Sequence, residues 1–271
     1  MKHKNAHSVL AQFFDQHHAV RGTIARGHIT PTDLLPLGHV TPRLTRFAAH
    51  HDTWLFSKVV GVVAEHASRS GVTSITDLGA GSCIPTIRAC LEHPQYTGRV
   101  TCVDIDDDAL KIGAENVTTY QLAPRYTFVR NDMLDYLDRN SIATHSALVA
   151  NPPFLPVPPG SDDPYFLPVD GGPDGTHYLR AILTSALPVG TLVGLEWSSL
   201  SNPAAVIGMM QAFYDVLYVQ AFDIDAGIYT EAPRLRPYIE AQAARGLAVV
   251  NPPADGLMGW TFIGTVLRKK R

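Results

Sequence analysis

The sequence has few charged residues and few cysteines. Charged side chains make up 17% of the 271 residues, and the formal net charge of −3 provides no basic field that would hold a nucleic-acid backbone. The cysteines Cys83, Cys90 and Cys102 are too few for a disulfide framework and lack the paired Cys-x-x-Cys spacing of a zinc site. We therefore predict that they are small core residues and that nucleic acid is a disfavoured partner.

Long apolar runs and metal-binding spacings are also missing. The apolar stretch of residues 57–67 is interrupted by charges well before the roughly 20 residues that a bilayer requires, and the first ten residues lack the apolar core of a signal peptide. Twelve histidines are present, but they do not cluster with cysteines at the spacing of a metal site. We expect a cytoplasmic protein that uses no metal ion and has no membrane partner.

Apolar runs of strand length alternate with helical periodicity from about residue 72 onward. Strands are predicted at 72–78, 99–105, 125–130, 145–150, 191–197, 215–224 and 260–267. Helices are predicted at 83–93, 107–120, 133–139, 174–187, 202–213 and 234–245. This alternation predicts an α/β fold with a doubly wound, Rossmann-like sheet of seven strands, in which the last two strands form an antiparallel pair at one edge.

The first 46 residues differ from the remainder of the chain. They are rich in histidine and contain Pro31, Pro36 and Pro42, and they show no strand-helix alternation. We predict a small N-terminal helical arm or cap at residues 1–46, followed by one α/β domain at residues 47–271.

The first chemical signal is a glycine-rich turn after the first predicted strand of the α/β domain. The segment Asp77 to Cys83 reads DLGAGSC, and Gly79 and Gly81 allow a sharp turn with no side chain between backbone and ligand. It lacks the Gly-Lys-Ser/Thr end of a phosphate loop and the third glycine of the dinucleotide fingerprint. The turn and its acidic residue therefore suit a nucleoside joined to a zwitterionic amino acid.

Two more carboxylates follow the next two predicted strands. Asp104 ends the second strand, where a carboxylate can accept both hydroxyls of a ribose. Asp132 follows the third strand and is placed to meet the exocyclic amine of an adenine. The order of these acids at successive strand ends predicts one nucleoside-binding edge.

The fourth predicted strand stops at a proline-rich corner, SALVANPPFLPVPPG, in residues 146–160. Proline has a fixed φ and no amide hydrogen, so this segment cannot continue a central strand or enter a helix interior. The corner is rigid and exposes backbone carbonyl groups.

Taken together, these features resemble the class I S-adenosylmethionine-dependent methyltransferases from about residue 47 to the end. The segment Asn151-Pro152-Pro153-Phe154 resembles the signature of members that methylate nitrogen on a planar group, namely adenine-N6 enzymes and HemK-type glutamine methyltransferases. The later segment DGGPDGTHYLRAIL is similar to the HemK-like branch, and FAAHHDTWLF resembles its Tyr-x-Pro-x-x-Asp-Thr-Phe segment. That branch carries tyrosine, proline and tyrosine at the positions of Phe47, Ala49 and Phe154. These differences leave the cofactor assignment intact and concern which substrate is methylated.

The resemblance implies a cofactor, S-adenosyl-L-methionine, and a set of residues around it. The implied cofactor-binding residues are Asp52, Thr53, Trp54, Asp77, Gly79, Gly81, Asp104, Ile105, Asp132, Met133 and Asn151. The implied catalytic residues are Asn151, Pro152 and Phe154, and the implied substrate-binding residues are Pro153, Phe154 and Glu196.

The corner has a chemical explanation once a methyl donor is assumed. An amide or aromatic-amine nitrogen is a poor nucleophile because its lone pair is delocalised. If the side-chain oxygen of Asn151 and the carbonyl of Pro152 each accept one hydrogen of a substrate NH₂, the lone pair points at the methyl group and the developing positive charge is stabilised. Phe154 would stack on the planar group.

Three hypotheses about function stay open at this point. The first is methylation of a planar nitrogen in a small molecule or a protein glutamine, with a small molecule slightly favoured because the bacterial glutamine enzymes use a longer N-terminal domain. The second is adenine-N6 methylation of nucleic acid. The third is a module that holds the cofactor without catalysis. The N-terminal arm, which lies just before Asp52, Thr53 and Trp54, is predicted to fold over the site as a lid or a wall of the substrate pocket.

Overall fold

The computed structural model describes residues 6–24, 51–139, 142–225, 227, 229–254 and 256–270. The chain divides into two compact units. The first unit comprises Met1–Gly27, Pro152–Thr184 and Glu196–Gly264, and the second comprises His28–Asn151, Ser185–Leu195 and Thr265–Arg271. Phe47 and Ala49 lie outside the described residues, as do residues 25–46 of the predicted arm.

Eight α-helices and nine β-strands are present in these described residues. The helices are α1 (Ala6–Gln16), α2 (His51–Ser70), α3 (Ile84–Glu92), α4 (Asp107–Thr119), α5 (Met133–Arg139), α6 (His177–Thr184), α7 (Pro203–Phe213) and α8 (Arg236–Ala244). The strands are β1 (Val20–Ile24), β2 (Ser74–Leu78), β3 (Arg99–Asp104), β4 (Tyr126–Arg130), β5 (Ser146–Ala150), β6 (Leu192–Ser198), β7 (Tyr214–Asp225), β8 (Asn251–Ala254) and β9 (Leu257–Lys269).

The second unit contains parallel strands in the order β4-β3-β2-β5-β6. Every residue of β5 and β6 is buried, as expected for central strands that are covered on both faces. At Gly194, a Cβ atom would lie 2.8 Å from Val63 of α2, so glycine lets this helix pack closely on the sheet. The order of the strands reverses between β2 and β5, and this reversal marks the expected ligand site.

The helix after β3 begins as its sequence predicts. Asp106 is the N-cap of α4, and its side chain accepts hydrogen bonds from the N–H groups of Asp108 and Ala109. Acidic residues occupy the first turn, where they interact favourably with the positive end of the helix dipole.

The first unit contains the strand order β1-β7-β9-β6, with β8 paired antiparallel to β9. Strand β1 pairs with β7 in parallel, from Val20 opposite Gln220 to Ile24 opposite Ile224. Helix α1 packs against α7, and Phe13 of α1 meets Trp197 edge-on at a ring-centroid distance of 6.3 Å. The described part of the N-terminal arm is thus a helix and a strand, and its role as a lid stays a prediction.

The predicted fold class is confirmed, with two differences in detail. All seven predicted strands are present, and β7 and β9 are neighbours in the sheet. Strands β1 and β8 were not predicted, and β1 takes the edge position beside β7 that was expected for the final pair. Across the described ranges, no helix is both long and apolar enough to cross a membrane.

Candidate active site

Most of the residues predicted to bind a cofactor lie where parallel strands of the second unit end, whereas Asp52, Thr53 and Trp54 lie in the first turn of α2. The carboxyl ends of parallel strands meet at one edge of a sheet, and ligands bind there at the reversal of strand order. The positions at this edge are Asp77 near the end of β2, Gly79 and Gly81 after it, Asp104 at the end of β3, Asp132 after β4 and Asn151 after β5. The fold thus collects the predicted carboxylates and the first residue of the Asn-Pro-Pro corner.

The glycine-rich loop after β2 is held against the end of β3. Gly79 and Gly81 have φ angles of 74° and 50°, in the left-handed region that favours glycine. The N–H of Gly81 donates to Oδ2 of Asp104 over 2.8 Å. A Cβ on Gly79 would lie 3.3 Å from the terminal methyl of Met133. The loop therefore leaves room for a ligand, as expected, and it also orients the carboxylate of Asp104. The contact with Asp104 was not predicted from the sequence.

Asp104 is fixed by hydrogen bonds on both carboxylate oxygens. Besides the bond from Gly81, Oδ1 accepts the N–H of Asp106 over 3.0 Å. Burial raises the pKa of the Asp104 carboxyl, and the backbone N–H groups of Asp106 and Gly81 act in the opposite direction by stabilising the anion. The neighbouring Ile105 is 65% exposed, so its side chain is accessible to a ligand. A fixed carboxylate with lone pairs to spare suits two ribose hydroxyls.

Asp77 is a buried acid without a hydrogen-bond partner. Its residue is 1% exposed, and neither carboxylate oxygen accepts a hydrogen bond from the described residues. Burial, with a smaller contribution from the nearby Asp104, raises the pKa of Asp77 to about 8. An unpaired buried acid lowers the stability of the fold unless a ligand supplies its partner. A cationic group of a ligand would meet this need.

Asn151 is hydrogen-bonded to the N-terminal turn of α2. Its Nδ2 donates to Oδ2 of Asp52 over 3.4 Å, while Oδ1 of Asp52 accepts the N–H of Thr53 over 2.8 Å. The other end of the amide, Oδ1 of Asn151, is buried and has no hydrogen-bond partner among the described residues. Sequence resemblance placed Asp52 and Asn151 near one cofactor, and the structure shows that they contact each other.

Thr53 and Trp54 share the first turn of α2 with Asp52. The Thr53 carbonyl accepts the Ser57 hydroxyl, and the Trp54 ring carries the Lys58 ammonium 4.1 Å from its centroid. Burial lowers the pKa of Lys58. These contacts are internal to the helix, so a cofactor role for Thr53 and Trp54 stays a prediction.

Asp132 begins helix α5. Its Oδ1 accepts the N–H groups of Leu134 over 2.8 Å and Asp135 over 3.2 Å, which is the geometry of a helix N-cap. Met133 is the first residue of the helix and contributes the methyl group near Gly79. Only one carboxylate oxygen of Asp132 takes part in the capping bonds, and binding of adenine by this residue stays a prediction.

Two residues of α4 support the loop and were not singled out from the sequence. Asn116 is buried, and its Nδ2 donates to the Ser82 carbonyl over 3.0 Å. At Gly113, a Cβ would lie 2.7 Å from Sγ of Cys83, so only glycine lets the helix approach the loop this closely. They occupy positions i and i+3 of α4 and therefore share one face, a spacing that is visible in the sequence.

The residues after Asn151 belong to the first unit. Pro152 and Phe154 are buried and Pro153 is half-buried. The Phe154 ring packs against Trp260 and Phe262 at centroid distances of 6.1 and 5.7 Å, and its carbonyl oxygen accepts the Ser201 hydroxyl over 2.9 Å. Aromatic packing thus fixes the position of Phe154, and stacking of this ring on a substrate stays a prediction.

The Gly-Gly-x-x-Gly turn packs directly on the backbone of Phe154. The N–H of Gly171 donates to the Leu155 carbonyl over 2.9 Å, and Oδ1 of Asp170 accepts the N–H of Gly172 over 2.8 Å. A Cβ on Gly171 would lie 2.7 Å from the Phe154 Cα. The turn that was expected to shape the substrate pocket therefore supports the chain just after the Asn-Pro-Pro corner.

Replacing Gly175 by alanine should lower stability more than the same change at Gly160. Both glycines have similar positive φ angles, 73° and 76°. A Cβ at Gly175 would collide with the Phe154 carbonyl and lie 3.0 Å from the Ser201 Cα, whereas nothing lies within 4 Å at Gly160. We expect a loss of about 2–4 kcal/mol for Gly175→Ala and about 1 kcal/mol for Gly160→Ala, measured by urea unfolding. Equal losses would contradict the close packing on Phe154.

Glu196 lies within β6 and is completely buried. It does not cap the following helix, since the N-cap of α7 is Asn202, whose side chain accepts the N–H of Ala205. Its proposed contact with substrate stays a prediction.

The cysteines Cys83, Cys90 and Cys102 are all buried, as predicted. Over the part of the chain that the structure describes, no group of three or more His, Cys, Asp or Glu side chains is arranged to hold a metal ion.

One segment of the chain is similar in sequence to a known protein family. Residues 61–157 match the family described as Methyltransferase small domain. The chain is 30% identical over 90 residues to a tRNA1(Val) (adenine(37)-N6)-methyltransferase of Pectobacterium carotovorum, covering 33% of this chain and 36% of the relative.

Two further relatives are named as glutamine methyltransferases. A ribosomal protein uL3 glutamine methyltransferase of Francisella tularensis is 35% identical over 85 residues, covering 31% of this chain and 25% of the relative. A release factor glutamine methyltransferase of Chlorobaculum tepidum is 32% identical over 105 residues, covering 35% of each. The chain thus spans between a quarter and about a third of the length of these curated relatives. Residues 61–157 thus resemble a methyltransferase domain, and this match covers less than half of the chain.

Proposed function

We propose that this protein transfers a methyl group from S-adenosyl-L-methionine to a planar amide or amine nitrogen. The observation that carries the proposal is the side chain of Asn151, whose Oδ1 is buried and accepts no hydrogen bond from the described residues while its Nδ2 donates to Asp52. An orphaned buried acceptor at the end of β5 is what a donor NH₂ of a substrate would satisfy. The same Asn-Pro-Pro corner is what resembles the nitrogen-methylating branch.

The cofactor residues fit the chemistry of S-adenosylmethionine. Asp104, fixed by Gly81 and Asp106, would accept the ribose hydroxyls. The buried carboxyl of Asp77, which accepts no hydrogen bond within the described part of the chain, would receive the cationic amino group. Ile105, Asp132 and Met133 would border the adenine, and Asp52, Thr53 and Trp54 would border the cofactor from α2. When bound, the cofactor supplies a sulfonium methyl group that needs no metal or covalent enzyme intermediate.

The protein's own contribution is to orient the acceptor nitrogen. Asn151 and Pro152 are adjacent in sequence, and each offers an oxygen that would accept one hydrogen of the substrate NH₂. Two acceptors hold the nitrogen with its lone pair directed at the methyl group and stabilise the positive charge that develops on it. Phe154 would stack on the planar group, with Pro153 and Glu196 contributing to the substrate side.

We propose that the acceptor is a small molecule or a glutamine side chain of a protein. Two of the three relatives are named as glutamine methyltransferases, and the net charge of −3 provides no electrostatic attraction for a phosphate backbone. Adenine N6 is the second candidate, because the Pectobacterium relative is named for that reaction on tRNA. A module that holds the cofactor without catalysis is the third. It is disfavoured because the Asn-Pro-Pro corner is intact.

A labelling experiment separates these acceptor classes. Purified protein is incubated with methyl-labelled cofactor and, in parallel, with a metabolite extract, a proteome and total RNA, each with a cofactor-only control. The proposal predicts label in the metabolite or protein fraction. Label confined to RNA would favour the adenine reaction, and no label in any fraction would defeat the proposal.

Cofactor binding should release a proton from Asp77. With its pKa near 8 in the free protein, this carboxyl is mostly protonated at pH 7, and a bound ammonium group favours the anion. Affinity should therefore rise with pH towards 8, by at most about tenfold per pH unit, and level off above it. Calorimetry with S-adenosylhomocysteine in buffers of different ionisation enthalpy measures the release. Asp77→Asn should abolish it, and buffer-independent heats in the wild type would contradict this role.

A further inference from the structure

We propose that Asp52 is a positioning residue that fixes which end of the Asn151 amide faces the substrate. The inference rests on the proposed function and assigns a role to a contact between α2 and the end of β5. The pair is separated by 99 residues in sequence and joined by the bond from Asn151 Nδ2 to Asp52 Oδ2.

An asparagine side chain can occupy the same space in two orientations. An amide presents an acceptor oxygen on one side and a donor NH₂ on the other, and rotation by 180° exchanges them. Only the oxygen can accept a hydrogen from a substrate NH₂. If the amide turned over, Asn151 would present two donors to that NH₂, and the acceptor function of the corner would be lost.

Asp52 removes this ambiguity because an ionised carboxylate only accepts hydrogen bonds. Facing Asp52, the amide must offer its nitrogen, and the oxygen must point away. The structure has this arrangement, since Nδ2 is engaged by Asp52 and Oδ1 is buried without a partner among the described residues. The reverse orientation would set two oxygens against each other.

Asp52 is itself fixed within its helix. Its second oxygen accepts the N–H of Thr53 over 2.8 Å, and it lies in the first turn of α2, where the positive end of the helix dipole stabilises an anion. Helix α2 is anchored by a buried face that includes Leu55, Phe56 and Val59. The carboxylate is therefore held on a rigid element and can impose its orientation on Asn151.

The effect of Asp52→Asn on turnover should depend on which residue occupies position 151. In Asn151→Asp, two carboxylates face each other, so one must move away or take up a proton. Adding Asp52→Asn restores a donor to the pair, because the new amide donates to the new carboxylate, whose other oxygen stays available to the substrate. Asp52→Asn should therefore lower turnover in the wild-type background and raise it in the Asn151→Asp background.

The test is a four-member cycle in the 271-residue chain: wild type, Asp52→Asn, Asn151→Asp and the swapped pair. Turnover is measured with the acceptor fraction that takes the label, and affinity for S-adenosylhomocysteine is measured by calorimetry. We expect turnover to fall about twofold or more in Asp52→Asn, because the amide of Asn151 can then point either way. We expect the turnover of the swapped pair to exceed that of Asn151→Asp by about tenfold when each protein is saturated with cofactor, at a concentration chosen from its measured affinity for S-adenosylhomocysteine.

Two results would overturn the inference, and they are distinguishable. If the wild type is active but Asp52→Asn lowers turnover in both backgrounds, Asp52 acts through the fold or the cofactor and not through the Asn151 amide. A parallel loss of affinity for S-adenosylhomocysteine in both backgrounds would identify the cofactor role. If the wild type transfers no methyl group to any fraction, the proposed function fails, and this inference fails with it.

Discussion

Turnover of Asn151→Ala is expected to fall by about 100-fold or more while cofactor affinity stays near that of the wild type. The removed oxygen is the buried acceptor at the end of β5, and removing one group that stabilises developing charge typically costs about 10²–10³ in rate. If the group acted equally on ground state and transition state, the Michaelis constant for the acceptor would rise and turnover would not change.

The measurement is steady-state transfer of labelled methyl groups, with calorimetry of S-adenosylhomocysteine as an internal control. Thermal unfolding of the same preparation shows whether the variant is folded. Wild-type turnover in a folded Asn151→Ala protein would refute the acceptor role of this side chain.

The second large effect is a loss of cofactor affinity, expected for the substitution Asp104→Ala. This change removes the charged acceptor proposed for two ribose hydroxyls and also frees the Gly81 N–H that the carboxylate holds. We expect cofactor binding to weaken by about 2–4 kcal/mol, which is on the order of 30-fold to 1,000-fold in affinity.

Asp107 provides the matched control for this change. It lies three residues away, and its ion pair with Arg130, 3.1 Å long, is largely exposed. Exposed pairs contribute about 0–1 kcal/mol to stability, so Asp107→Ala should leave cofactor binding close to normal. If calorimetry gave the same affinity for Asp104→Ala and Asp107→Ala, the ribose assignment would be wrong.

Periodicity in the sequence was sufficient to predict the repeating part of the fold. The seven predicted strands and the helices from α3 to α8 occur close to their predicted positions, because each has its own hydrophobic pattern. Asp106, which caps α4, is also a local signal that can be read without the structure.

The missed elements depend on contacts that are distant in sequence. Strand β1 reads VRGTI and gains its structure by pairing with β7, whose paired residues lie 200 positions later in the chain. Strand β8 reads NPPA, and its prolines argue against a strand until β9 provides an antiparallel partner. The sequence of helix α2 shows only an apolar run without clear helical periodicity, because its buried positions cover much of its circumference.

The candidate site likewise combines features that the sequence pattern predicts with contacts between residues that are distant in sequence. Strand order alone places Asp77, Asp104 and Asn151 at one edge of the sheet, so their proximity could be predicted from sequence. The bonds from Gly81 to Asp104 and from Asn151 to Asp52 could not, since they join residues 23 and 99 positions apart. These long-range bonds set the orientation of the functional oxygens.

The most direct test of the central claim is to identify the atom that receives the methyl group. Labelled product from wild-type protein is hydrolysed in acid, and volatile amines, alcohols and intact bases are separated. Transfer to an amide nitrogen predicts labelled methylamine, and transfer to an exocyclic amine predicts a labelled N-methyl base. Labelled methanol, the product expected from a methyl ester, would contradict nitrogen methylation by the Asn151-Pro152 corner.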